Sequence, residues 1–129
     1  MRDFKKLQIW QKAHQLTLAI YKTSQNFPID ERFGLTSQLR RAAISIPSNI
    51  AEGCGRNTVG ELAQFIQIAI GSSSEVEYQL LLAHDLGLIS DEIYVQLKND
   101  LSEMIRMMIS YNDKIRNHKN KNESDNKTS

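Results

Sequence analysis

Apolar side chains return along this chain at alternating steps of three and four, the spacing that places them on one face of a helix. Four such stretches are separated by turn signals. Ile9, Ala13, Leu16, Ile20, Thr23 and Phe27 form the first seam, with Asp3 as the expected N-cap and Trp10 and Tyr21 flanking the buried face. Asn26-Phe27-Pro28 is expected to end that helix, because the residue before a proline is pushed out of the α region.

The second stretch, Leu35 to Arg56, carries Leu35, Leu39, Ala42, Ala43, Ile46 and Ile50 on one face. Pro47 lies inside it. A proline there removes one backbone donor and presses on the carbonyl of Ala43, at about 3 kcal/mol in an unconstrained helix interior. The stripe keeps its phase from Ile46 to Ile50, which predicts one helix kinked at Pro47. In the competing reading Ser45 caps a fresh helix whose first turn accepts the proline. Gly53-Cys54-Gly55 is expected to end the segment.

Thr58-Val59-Gly60-Glu61 has the form of a capping box and opens a third helix. Leu62, Ala69, Val76 and Ala83 repeat every seven residues, with Ile66, Ser73 and Leu80 as the companion row. Its centre, Gly71-Ser72-Ser73-Ser74, has no bulky side chain, so Gly71 and Ser73 are expected to face Ala42 and Ala43 of the second helix. Leu86-Gly87-Leu88 reads as a left-handed C-terminal cap, and Ser90-Asp91-Glu92 as the cap and acidic first turn of a fourth helix. Tyr94, Leu97, Leu101, Met104, Met108, Tyr111 and Ile115 form its seam, widened by Met107 and Ile109. Four helices with short connections predict an all-α, up-and-down four-helix bundle over residues 1–118. A disordered polar tail is expected over 119–129, where no large apolar side chain occurs.

Composition narrows the function classes. With 129 residues and 40% hydrophobic content the chain is most simply one domain with a real core. Cys54 is the only cysteine, which excludes an intramolecular disulfide and fits a reducing cytoplasm. No apolar run approaches the roughly 20 residues of a membrane span, and charges occupy the start where a signal peptide would be apolar. A cytoplasmic protein without membrane contact is expected.

The net charge of +1 hides a polarity. Residues 1–56 hold Arg2, Lys5, Lys6, Lys12, Lys22, Arg32, Arg40, Arg41 and Arg56 against Asp3, Asp30, Glu31 and Glu52. Residues 57–97 contain no lysine or arginine, and carry Glu61, Glu75, Glu77, Asp85, Asp91 and Glu92. Such a split suits a subunit contact, a face that steers a polyanion, or two differently solvated faces.

Catalytic signatures do not emerge. No Glu-x-x-His pair of a di-metal bundle occurs, and His14, His84 and His118 have no histidine four residues away. Ser72, Ser73 and Ser74 lack the strand-to-helix elbow that exposes a serine nucleophile. There is no phosphate-binding loop or dinucleotide fingerprint. The expectation is a non-enzymatic protein without metal or cofactor. Candidate phosphate contacts are Arg40, Arg41 and Arg56, with Lys5, Lys6 and Lys12; Asn49, Glu52 and Arg56 are candidates for a subunit interface.

The segment FPIDERFGLTSQLRRAAISIPSNIAEGCGR, followed by IAIGSSSEVEYQL, resembles the four-helix bundle family encoded by intervening sequences inside bacterial 23S ribosomal RNA genes. That family is similar in fold to the accessory variability protein of diversity-generating retroelements. The resemblance runs from about Phe4 to Ile115. Matching motif positions include Phe27, Pro28, Gln38, Arg40, Arg41, Ser45, Pro47, Asn49, Glu52, Gly53, Gly55, Arg56, Phe65, Gly71, Ser72 and Glu75. The resemblance implies a bundle assembling into a homopentameric barrel without known enzymatic activity; for the retroelement relative it implies contact with a reverse transcriptase and RNA. One departure stands out: Ile70 occupies a position where the family commonly has arginine. The partners expected are therefore further copies of the chain, and structured RNA or a nucleic-acid-handling protein. The alternative is a structural or adaptor bundle that binds another protein, its arginines held in subunit interfaces.

Overall fold

In a computed structural model of the chain, four α-helices follow one another: α1 (Gln8–Ser24), α2 (Leu35–Cys54), α3 (Val59–Asp85) and α4 (Asp91–Thr128). Backbone is described for residues 2–128 and side chains for residues 2–118. Over 119–128, where a disordered polar tail is expected, the backbone continues as helix α4 to Thr128; the side chains there lie outside the described residues. Backbone contacts join α1 to α2, α2 to α3, α3 to α4 and α4 back to α1, with none across the diagonals among the described residues, which is the up-and-down arrangement.

The seams expected from periodicity form the core. Ile9, Ala13, Leu16 and Ile20 of α1, all six apolar positions of α2, both rows of α3, and Leu97, Leu101, Met104 and Met108 of α4 are buried together. Three local expectations shift. Asp3 caps a short 3-10 turn, Phe4–Lys6, by accepting from the Lys5 amide at 3.1 Å, and α1 begins after it at Gln8. At its other end α1 stops at Ser24, three residues before Phe27, which still packs into the core. Ile109 is exposed, so only Met107 widens the α4 seam.

Pro47 sits inside one continuous helix, not between two. The proline withholds an N–H from the carbonyl of Ala43, a residue with no solvent exposure. Thr17 of α1 supplies a donor: its hydroxyl lies 3.2 Å from that carbonyl and 2.8 Å from the carbonyl of Ala13, sharing one proton between them. One turn on, Asn49 Nδ2 donates to the Ser45 carbonyl at 2.7 Å. Side chains thus satisfy the backbone where the proline loosens it.

The two informative glycines of the α2–α3 pairing act differently from expectation. Gly71 is exposed, and a Cβ there would meet nothing within 4 Å, so it does not face α2. Close approach instead depends on Gly53, where a Cβ would stand 2.9 Å from Phe65 Cβ and 3.0 Å from Leu62 Cδ1. Ser72 and Ser73 are the small residues of α3 that do turn inward: Ser73 is fully buried and donates to the Ala69 carbonyl, while Ser72 Oγ meets Ser45 Oγ at 2.8 Å.

Caps follow the sequence closely. Thr58 Oγ1 accepts from the Glu61 amide and donates to the Glu61 carboxylate, both at 3.1 Å. Gly87 has φ +78°, and the amides of Gly87 and Leu88 donate to the carbonyls of His84 and Ala83, a Schellman closure of α3. Ser90 Oγ accepts from the Ile93 amide to open α4.

Candidate nucleic-acid interface

Six cations are candidates for phosphate contact, and tertiary structure uses them unequally. Arg40 is half-buried: its Nε donates to Ser24 Oγ at 2.8 Å, its Nη2 to the Tyr21 carbonyl at 3.3 Å, and its guanidinium lies 4.6 Å from the Tyr21 ring centre. It is therefore engaged with the C-terminal turn of α1, where the helix dipole favours a cation. Arg41, about 100° further round α2, is exposed and borders a groove with Gln38, Glu75 and Gln79. Arg56 donates to Glu52 at 2.8 Å and lies over the Phe65 ring. Lys12 pairs with Glu103 of α4 at 3.1 Å. Lys5 and Lys6 are exposed on the turn before α1.

These six do not form one cluster. Thirteen residues of α2 separate Arg41 from Cys54, roughly 20 Å along the axis. Antiparallel packing instead gathers a different set at the end of the bundle that holds the start of α1 and the end of α2. There the Arg2 amide donates to the Cys54 carbonyl, and Lys5, Lys6 and Arg56 are joined by Arg106 and Lys114 from α4. The opposite end carries Asp85, Asp91 and Glu92 around the α3–α4 turn. Charge of both signs lies at each end: Lys22 and Arg32 share the end of Asp85, Asp91 and Glu92, and Asp3, Glu52 and Glu61 share the other, so the split read along the chain does not become a separation along the bundle axis.

The apolar seam of α4 by itself does not point to Arg106 and Lys114. Their signal is the spacing: residues 103, 106, 107, 110, 111 and 114 fall on one side of a helix. That side faces the turn before α1 across a groove of about 570 Å³, whose wall on the α1 side includes Lys6, Leu7 and Ile9. Arg106 and Lys114 are exposed and, with Lys6, form no ion pair with a described residue. Tyr111 is half-buried there; burial raises its pKa above the usual tyrosine value and Arg2 opposes the rise, so at neutral pH the phenol is uncharged.

The interface candidates are also placed. Asn49 is half-buried and bonds to Ser45 within its own helix, through the carbonyl and, at 2.9 Å, the hydroxyl. Glu52 and Arg56 are exposed and pair with each other. Cys54 is buried, and burial pushes its thiol pKa up, which disfavours the nucleophilic thiolate. His84 is held by Asp91 at 2.6 Å and Asp85 at 3.2 Å and stacks on Tyr94, locking the turn between α3 and α4. Among the described residues no helix is long and apolar enough to cross a membrane, and no three histidine, cysteine or acidic residues are grouped to hold a metal ion.

Fold and termini define an antiparallel, sequentially connected four-helix bundle. Residues 5–110 match the family of 23S rRNA-intervening sequence proteins, and the chain belongs to that family. A crystal structure of a protein of unknown function from the S23 ribosomal protein family of Bacteroides thetaiotaomicron has the same fold, with a TM-score of 0.76 at 24% identity, over 81% of this chain and 95% of that one. A search of curated proteins finds no match.

Proposed function

We propose that this protein is a non-enzymatic, cytoplasmic RNA-associated bundle that works as an oligomer. The observation that carries the reading is a groove at one end of the bundle, where Lys6 from the turn before α1 meets Arg106 and Lys114 of α4, with Arg2, Lys5 and Arg56 exposed at the same end. Cations on a rigid scaffold bind phosphates with little ordering cost, and repetition around a ring turns a few contacts per subunit into many. A buried thiol and a histidine already paired with two carboxylates supply no nucleophile and base in partnership, which favours binding over catalysis.

Oligomerisation draws support from apolar side chains left uncovered. Phe33 and Ile29, in the α1–α2 connection, are 88% and 86% exposed, and Ile68 and Tyr78 stand out from α3. A homopentamer, the assembly the resemblance implies, is the one to test. Sedimentation of the purified chain should give a particle near five times 14.8 kDa; a monomer at micromolar concentration would overturn the assembly.

Binding to structured RNA is tested by titration at several salt concentrations. Affinity should fall steeply as salt rises, and alanine at Lys5, Lys6 and Arg56 should flatten the dependence by up to about 0.9 log units per lost duplex phosphate contact. Binding that ignores salt, or no binding at all, would overturn the reading.

The second reading, an adaptor with its arginines in subunit interfaces, is favoured by Arg41. It is exposed and, among the described residues, without an ion pair beside Glu75, a place an acidic neighbour would complete. If Arg41→Ala dissociates the oligomer while RNA affinity per subunit is retained, this second reading gains Arg41.

A further inference from the structure

We infer that the groove between α4 and the turn before α1 is a binding site for a single-stranded segment of RNA, with one base seated between two phosphate contacts. The inference rests on the RNA-associated reading above and assigns that activity a place and a ligand form. Its basis is the order of side chains along α4. Arg106 comes first, then Met107 and Tyr111, then Lys114. Eight residues separate the two cations, about 12 Å along the helix, with the sulfur and the aromatic ring between them on the same face.

That order is cation, apolar platform, cation. Two cations at that spacing can each meet a separate phosphate, which suits a strand running along the groove. Lys6 stands on the opposite wall and adds a third positive charge, while the one carboxylate present, Glu103, is already occupied by Lys12. The floor is apolar, from Leu7, Ile9 and Met107. Tyr111 lines the groove half-buried against the core, with no other ring stacked on it among the described residues, and its phenol is uncharged. A nucleobase has the complementary chemistry: a flat face for the ring and a polar rim, flanked by phosphates.

Shape separates single from double strands. A base in an RNA duplex is stacked above and below, so its face is not free to meet an aromatic ring. A base in a loop, bulge or free end can turn outward into a cleft of about 570 Å³, which lies in the usual range for small-ligand sites.

The test uses the full chain and fluorescence anisotropy with three labelled probes: a single-stranded RNA of about ten nucleotides, the same sequence as a duplex, and inorganic polyphosphate of similar charge. The single strand should bind more tightly than either. Arg106→Gln and Lys114→Gln, both at exposed positions, should each flatten the salt dependence by roughly 0.7 log units. Tyr111→Leu, which keeps apolar bulk, should weaken the single strand by roughly tenfold with the salt dependence unchanged, and leave polyphosphate binding as it was. Circular dichroism of each variant confirms the fold.

Duplex and single strand bound equally, or Arg106→Gln and Lys114→Gln without effect while alanine at Lys5 and Arg56 weakens RNA, would overturn the groove and leave the RNA-associated reading standing. No RNA binding by the unaltered chain would overturn both. Polyphosphate bound as tightly as the single strand would reduce the site to a general anion surface and overturn the seat for a base.

Discussion

Replacing Thr17 with valine isolates the device that lets α2 carry a proline. The hydroxyl of Thr17 reaches the Ala43 carbonyl at 3.2 Å, the acceptor that Pro47 leaves without its helical donor. Ala43 is fully buried, so water cannot take the hydroxyl's place. A net hydrogen bond is worth about 1 kcal/mol, and a buried acceptor left bare costs roughly 1–3 kcal/mol. The bond is long and its proton is shared with the Ala13 carbonyl, which keeps its own helical partner. The lower figure applies, so Thr17→Val should cost about 1 kcal/mol, or roughly 3–5 °C in Tm for a domain of this size. The assay is a double-mutant cycle by urea denaturation. In a Pro47→Ala background the new amide at position 47 can serve Ala43, and the cost of Thr17→Val should fall below about 0.5 kcal/mol. An equal cost in both backgrounds would show that Thr17 contributes by packing alone and would refute the argument.

Other expectations follow from the same geometry. Gly53→Ala would drive a Cβ to 2.9 Å from Phe65 and 3.0 Å from Leu62, so overpacking of about 1–3 kcal/mol should outweigh its helix-propensity gain of about 1 kcal/mol. Gly71→Ala meets open space in a helix interior and should instead raise stability by about 0.4–1 kcal/mol; matching effects at the two sites in urea melts would contradict the packing described. Hydrogen bonds that His84 donates to the carboxylates of Asp91 and Asp85 raise its pKa above the ordinary value. Its contribution is thus fully present below about pH 6.5, the unfolded value, and is lost as pH rises through the higher folded value. The urea midpoint of the native chain should decline over that window, and His84→Gln should remove that part of the decline; identical pH profiles would count against a charged histidine at the turn.

Each helix was legible in the sequence because its evidence is local. A seam needs only the 3.6-residue period, and Gly87, Ser90 and Thr58 act on amides within a few residues of themselves. The use of each cation was not legible, because it depends on how a helix is rotated and what the antiparallel register sets beside it. Arg40 and Arg41 are neighbours in sequence, yet Arg40 is drawn onto the end of α1 while Arg41 stays exposed. Lys6 and Arg106 are a hundred residues apart and share one groove. The same holds for the glycines: composition marked Gly71 as the place of close approach, and only the packed pair of helices shows that Gly53 meets α3 and Gly71 meets nothing. Sequence alone therefore determined the four amphipathic helices and the caps of α3 and α4, since periodicity and capping are short-range. Tertiary structure decided which charges remain free to meet a ligand, since that depends on helix rotation and register, which are set jointly by all four buried faces.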